Sequence, residues 1–327
     1  MEKQDAVLMG PFVGEFYWEC GRFAPMLPYL KKKKYKKRNI KYVVLTREER
    51  FDLYGCYADV LIPLRIEGDY GKLKPNCFRL NGLDNKKYES IADKFRKKYE
   101  SKYNIIEHLY PKIAKKTFMN KNQFHSSNMI FDFKPRKENF ELVDNYLPDD
   151  KPVVVLAPRY RKGFQRNWNQ WQKFYDRLSD QVDLMTKFNF IVCGKVGEYQ
   201  PDHKNRFFDM NEIKLGQSSS SSGLLLAILR RSFFTFGSQS AIPNISLLCG
   251  VEVLEFGNQK HLHTVTYNIK RTPVTFIVDT KFNIDPNEIL NKLKKILNKK
   301  YKKEIQQNVK HQQPMGQREP IACISPS

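Results

Sequence analysis

The chain predicts an α/β fold in two tandem domains, each a parallel sheet flanked by helices. Three observations carry this. Apolar, strand-like runs at Ala6–Met9 and Val153–Ala157 each open one half of the chain and lead into a loop rich in glycine or basic residues. Between the halves lies Pro148-Asp149-Asp150-Lys151-Pro152, the clearest linker signal in the sequence. The stretch 224–257 reads helix, strand, small-residue loop, helix, strand, the spacing of a parallel α/β unit. With 327 residues there is room for two domains of about 150 each. The expected division is 1–147 and 148–305, followed by a polar, disordered tail at 306–327.

Bulk composition narrows the partners. The net charge of +22 favours polyanions such as nucleic acid, an anionic lipid surface or an acidic glycan. A lysine-rich surface that does no more than solvate the protein is the plain alternative. Six cysteines without CxxC spacing fit a reduced, cytoplasmic protein. No run approaches the ~18 apolar residues of a membrane span.

The first strand, Ala6–Met9, runs into Gly10-Pro11-Phe12-Val13-Gly14-Glu15-Phe16-Tyr17-Trp18-Glu19. Glycines and a proline here mark a tight βα turn at the carboxyl edge of a parallel sheet, where open α/β sheets bind ligands. Glu15 and Glu19 share one face if a helix begins near Gly14. Either could be a general base, and either could simply complement a helix dipole. Phe16 and Trp18 could line a sugar or base pocket, or be core. A helix over Cys20–Leu30 is limited by Pro25 and Pro28. The run Lys31–Arg38 has seven basic residues in eight around Tyr35. It suits phosphates and base stacking, or is a solvated connection at the sheet edge opposite the first turn. Strands follow at Ile40–Leu45 and Val60–Ile62, then one or two amphipathic helices over Asp84–Tyr110. Phe131–Asn145 starts extended and finishes helical.

In the second half, the Val153–Ala157 strand delivers Arg159, Arg161, Lys162 and Arg166 to its carboxyl end. A helix over Trp171–Leu184, a strand at Phe190–Cys193 and a loop from Gly194 come next, then short extended pieces at Phe207–Met210 and Ile213–Leu215. Five serines, 218–222, precede the helix Leu224–Leu229 and the strand Phe233–Phe236. The loop Gly237–Pro243 presents backbone N–H groups, Ser238 and Ser240 at the start of a helix over Asn244–Leu248, a place that stabilises phosphate. An ordinary connection with an N-capping serine is the alternative. Strands at Val251–Phe256 and Val274–Val278 and a helix over Ile289–Leu297 complete the chain.

Two such domains with a ligand loop after each first strand suggest the GT-B glycosyltransferase architecture. The second half resembles the heptosyltransferase-like group (ADP-heptose:LPS heptosyltransferases) through VVVLAPRYRKGFQRNWNQW, FIVCGKVGE and LLLAILRRSFFTFGSQSAIPNISLLCGVEVLEFG, about 110 residues in all. The resemblance implies a nucleotide-sugar-dependent transferase, and because the sequence has no Asp-x-Asp metal motif, a metal-independent enzyme with no cofactor beyond its nucleotide-sugar co-substrate is expected. The second domain would hold that donor and the first the acceptor. Arg159, Arg161 and Lys162 would face the diphosphate, with Ser238, Gln239, Ser240 and Ala241. Gly194 would join this donor set, and Glu255 to Gly257 would lie near the nucleoside. Glu15 would be the base, with Glu19 as the other candidate, and Gly14, Phe16, Trp18, Lys33, Lys34 and Lys36 would contact the acceptor. Two departures stand out. The group's Ser-Gly in the donor loop is Ser240-Ala241 here, and its Gly-Asp pair in the first turn is Gly14-Glu15. GPFVGEFYWE also resembles a turn of glycosyltransferases encoded by phages and other viruses. With the charge, it directs the expected acceptor to a hydroxymethylated pyrimidine in viral DNA. The alternatives are a surface glycan or lipid-linked acceptor at an anionic membrane, and a non-catalytic polyanion-binding protein on the same scaffold.

Overall fold

The computed structural model describes residues 3–12, 16–36, 38–64, 85–110, 129–147, 149–160, 167–194, 207–216, 219–258 and 272–311. Two sheets organise them, and every strand pairing in both is parallel. The first half contributes β1 (Asp5–Met9), β2 (Lys41–Thr46), β3 (Val60–Pro63) and β4 (Asn104–Leu109), in the order β3-β2-β1-β4. The second contributes β5 (Val153–Ala157), β6 (Asn189–Val192), β7 (Phe207–Asp209), β8 (Ser232–Ser238), β9 (Val253–Gly257) and β10 (Val274–Val278). Their order, β10-β9-β8-β5-β6-β7, is that of a doubly wound nucleotide-binding sheet. Strand order reverses between β5 and β8 here, and between β1 and β4 in the first sheet. Outside the carboxyl ends of those pairs lie the crevices such sheets use for ligands. The fold is GT-B.

The helices of the first half are α1 (Phe16–Trp18), α2 (Met26–Tyr29), α3 (Asn85–Glu100) and α4 (Lys137–Tyr146). Those of the second are α5 (Trp171–Ser179), α6 (Val182–Lys187), α7 (Ser221–Arg231), α8 (Ala241–Leu248) and α9 (Pro286–His311). Strand alternation divides the second core by face. Val154 and Leu156 point with Phe234, Phe236, Leu254 and Phe256 into a layer closed by α5 and α9. Val153 and Val155 point the other way, onto α7 and α8, where the same apolar cluster takes in Phe12, Phe23, Tyr54 and Val143 of the first half.

Several elements depart from the sequence expectation. The helix expected to run to Tyr110 stops at Glu100, and Asn104–Leu109 is strand β4 beside β1. The adjacent β-branched residues Ile105 and Ile106 favour a strand after the turn at Ser101–Tyr103. The single helix expected over 171–184 is two, α5 and α6, broken where the Ser179 hydroxyl donates to the Asp176 carbonyl (2.6 Å). Ile213–Leu215 forms no strand. The helix over 20–30 is irregular: π-helical turns at Glu19–Phe23 and Leu30–Lys34 flank α2. Helix α9 continues to His311, past residue 305, where the tail was expected to begin. β8 runs to Ser238 and α8 starts at Ala241, so the seven-residue loop shrinks to Gln239-Ser240. Pro243 lies in the first turn of α8, where a missing N–H costs little.

Candidate functional site

The first βα turn begins at Gly10, whose φ of +104° suits glycine. A Cβ there would also fall on the Leu45 carbonyl oxygen of β2. The Gly10 amide donates to the Leu109 carbonyl (2.8 Å), and Nε2 of His108 donates to the Gly10 carbonyl (2.8 Å). Burial lowers the His108 pKa against the opposing effect of that hydrogen bond, so the ring is neutral at pH 7. His108 therefore pins the turn across the β1–β4 switch point. The sequence hides His108, because Asn104–Leu109 continues the apolar periodicity of the helix before it. Gly14 and Glu15 lie outside the described residues.

Glu19 occupies an interior position. It is 0% exposed; Thr46 and Tyr54 (2.7 Å) donate to Oε1, and Arg50 is bonded to Oε2. Arg50 is itself buried, at 4% exposure, and its guanidinium also lies over the Phe16 ring, 5.7 Å from the centroid. A carboxylate taken from water survives when paired and hydrogen-bonded in this way. To serve as a base it would first have to give up these bonds, so the geometry corrects the catalytic expectation for Glu19 to a structural one. Phe16 and Trp18 are half-buried and packed against the shared apolar cluster.

The lysine run lies at the amino-terminal edge of the first sheet, where Arg38 pairs with Asp5, the first residue of β1. The turn after β1 is at the other edge, so Lys33, Lys34 and Lys36 are not brought to it. Much of the run is also neutralised internally. Lys34 donates to both Glu107 oxygens (2.8 and 2.9 Å), Lys32 to Asp132 (2.8 Å), and Lys31 lies 3.9 Å from the Asp59 carboxylate. Asp132 loses protons easily: burial would raise its pKa, but hydrogen bonds from Lys32 and Tyr57 lower it to about 2.

At the β5–β8 switch point the second half converges on one small place. An Nη of Arg159, two residues past β5, donates to the Gln239 carbonyl (2.8 Å). The Gln239 amide donates to the Phe256 carbonyl of β9 (2.9 Å). A Cβ on Gly257 would come within 2.6 Å of the Gln239 Cβ, and one on Gly237 within 2.7 Å of the Ala157 Cβ. Both glycines therefore let the strand ends close on the connection. Gly194, at φ +133°, sits against Pro158, whose carbonyl oxygen is 2.7 Å from where a Cβ would be. Glu255 is fully buried, in register with Gly237. Arg161 and Lys162 lie outside the described residues.

Two hydroxyls in this connection have unmet hydrogen-bonding capacity. Ser238 is 0% exposed, and its Oγ has no partner among the described residues; the same holds for the buried Oγ of Ser240. Ser240 stands at the N-cap of α8 without capping it. Unbonded buried hydroxyls are costly, and an N-cap serine ordinarily satisfies a helix amide. A polar guest with several acceptor oxygens would meet both needs, and Arg159 stands beside it. The first half reaches the same helix: Gly21 is 3.4 Å from the Tyr17 ring and 3.8 Å from Leu248 of α8, measured from where its Cβ would lie. The residues just after the first turn thus pack on the helix that follows the two serines.

Among the described residues no group of three or more His, Cys, Asp or Glu side chains is placed to hold a metal ion. No described helix is long and apolar enough to cross a membrane.

No family model and no curated protein sequence matches the chain. Solved structures do. The glycosyl transferase family 9 protein of Veillonella parvula superposes with a TM-score of 0.57 at 12% identity, over 91% of this chain and 98% of that one. E. coli ADP-heptose LPS heptosyltransferase II gives 0.55 at 8%, over 91% and 99%. E. coli heptosyltransferase WaaC with ADP-2-deoxy-2-fluoro heptose gives 0.52 at 9%, over 89% and 99%. At these identities the likeness is one of fold.

Proposed function

We propose that the protein is a glycosyltransferase that moves a sugar from a nucleoside-diphosphate sugar to an acceptor hydroxyl. The observation that carries this is the arrangement of Arg159, Ser238 and Ser240 around the uncapped start of α8, at the strand-order reversal of a doubly wound sheet. The GT-B neighbours add support, since one of them is described with an ADP-sugar analogue. On this reading residues 148–305 hold the donor and 1–147 the acceptor.

The acceptor oxygen forms a bond to the anomeric carbon as the bond from that carbon to the diphosphate breaks. The bonding pair leaves with the nucleoside diphosphate. Arg159, Arg161, Lys162 and the amides opening α8 stabilise the growing negative charge. Glu255 and Gly257 bound the nucleoside side, and Gly194 shapes the neighbouring wall. Glu15 accepts the acceptor proton, an effect typically worth about 10²–10⁴-fold. Phe16 and Trp18 flank the acceptor. Glu19 and His108 hold this turn in place.

The reading of the acceptor as a hydroxymethylated pyrimidine in DNA draws on the net charge of +22. The internal pairing of Lys31, Lys32 and Lys34 takes away part of that support. A glycan or lipid-linked hydroxyl does not depend on it. Thermal-shift screening of nucleoside diphosphates and their sugars tests the donor site. Transfer assays on hydroxymethylated duplex DNA and on glycan acceptors then separate the two acceptors. A folded protein that responds to no nucleotide would contradict the proposal.

A further inference from the structure

We propose that the outward face of α9 is a docking surface for an anionic lipid bilayer. Its inner face is committed: Ile289, Leu290, Leu293 and Leu297 are buried in the layer against the second sheet. Two flanking lysines are also committed. Lys294 pairs with Asp183 (3.3 Å) and donates to Gln181, and Lys300 pairs with Glu252 (3.5 Å) and donates to the Phe233 carbonyl. Lys292, Lys295, Lys299, Lys302 and Lys303 are different. All five are exposed, and none is in an ion pair among the described residues. The spacing from 292 to 295, 299 and 302 keeps them on one side of the helix, along about 15 Å at 1.5 Å per residue. From Ile289 to Lys303 the helix carries no acidic residue.

The composition of this face favours lipid over nucleic acid. It has lysines and no arginine, so it offers point charges rather than the planar forks that read phosphates and bases. Its aromatic residue, Tyr301, is turned inward against Phe188, with ring centroids 5.4 Å apart, so no ring is presented for stacking on a base. Exposed aliphatic side chains stand at its margins. Ile305 is 46% exposed one turn beyond Lys302, and Val182 is 70% exposed next to the Asp183 that pairs with Lys294. Lysines over the headgroups with aliphatic contacts at the rim are the pattern of a surface-bound amphipathic element. The face lies across the second sheet from the α7–α8 layer, so docking there leaves the Ser238–Ser240 site uncovered. The inference stands apart from the sugar-transfer proposal.

The test is co-sedimentation of the full chain with vesicles of phosphatidylcholine alone and of phosphatidylcholine with phosphatidylserine. Wild type should bind only the anionic vesicles and be released by salt. Substituting Lys292, Lys295, Lys299 and Lys302 together by Gln should weaken binding by roughly 100-fold or more, at about fivefold per lysine. The same four changed to Glu should abolish it, and Lys33→Glu with Lys36→Glu should leave it largely intact. The melting temperature of each variant checks that it is folded. Wild type that ignores anionic vesicles, or a folded α9 variant that binds like wild type, overturns the proposal. So does a DNA duplex that displaces the vesicles from these four lysines.

Discussion

The Ser220 hydroxyl of the second half donates to the buried Asp52 carboxylate of the first, 2.6 Å away. Asp52 also accepts from Arg136 (3.0 and 2.9 Å) and from Asn139 (3.1 Å), and Ser220 caps α7 by accepting from the Gly223 amide (3.0 Å). One carboxylate thus ties the 3-10 turn Glu48–Leu53 and α4 to the start of the helix that leads into β8. Arg50, on the same turn, holds Glu19.

Removing this tie should loosen one half from the other. Asp52→Ala leaves Arg136 and Asn139 without their acceptor. It should cost about 3 kcal/mol, near the low end for a broken buried pair because Arg136 is 40% exposed. Ser220→Ala should cost about 1 kcal/mol, the usual loss of an N-cap. The double variant should lose less than the sum of the two. In urea, followed by tryptophan fluorescence, wild type should unfold in one transition and Asp52→Ala in two.

Acid should weaken the fold through two groups. Burial would raise the Asp52 pKa, but hydrogen bonds from Arg136 and Ser220 outweigh it and hold the value below the ordinary 3.8. Its contribution is therefore full above that value and lost as pH falls through the folded-state pKa. The His108 pKa is lowered below 6.5 by burial, so His108 favours the folded state above 6.5 and loses that effect as pH falls through its folded-state value. Melting temperature against pH should fall from neutrality downward. His108→Gln should flatten the curve in the range where histidine titrates, and Asp52→Asn at the more acidic end.

The two glutamates of the first turn should part company. Glu19→Gln leaves Arg50 buried opposite a neutral amide and should lower the melting temperature while nucleotide binding persists. Glu15→Gln should leave the melting temperature near wild type and cut transfer by about 10²–10⁴-fold.

Gly257→Ala should weaken donor binding without changing charge. The new Cβ would meet that of Gln239 at 2.6 Å, and Gln239 is the residue whose carbonyl Arg159 engages. The affinity for the nucleotide that stabilises wild type, measured by calorimetry, should fall while the protein stays folded.

The sheets were legible in the sequence wherever a strand is an unbroken run of apolar and β-branched residues. Val153–Ala157 and Val274–Val278 read as strands and form within those bounds, and the first of them is apolar throughout. β4 was not legible. Its six residues, Asn104–Leu109, include Asn, Glu and His, and the apolar periodicity of the preceding helix runs on into them. At the candidate site, the serines and Arg159 were visible as residue types after strands. Their contact through the Gln239 carbonyl was not, because it depends on which strands are neighbours. Glu19 misled for a similar reason. Its position after a turn suggested a base, while Thr46, Arg50 and Tyr54, which surround it, lie 27, 31 and 35 residues away in sequence.

Sugar transfer as proposed requires Arg159 and the start of α8 to form a diphosphate site. Calorimetric titration of ADP, UDP and their sugars into wild type, Arg159→Ala and Ser238→Ala tests it most directly. Wild type should bind one of these nucleotides. Loss of the guanidinium should weaken binding by roughly 10–100-fold, the worth of a hydrogen bond to a charged group, and loss of the serine hydroxyl should weaken it less. Nucleotide binding that is unchanged in a folded Arg159→Ala protein would contradict the claim.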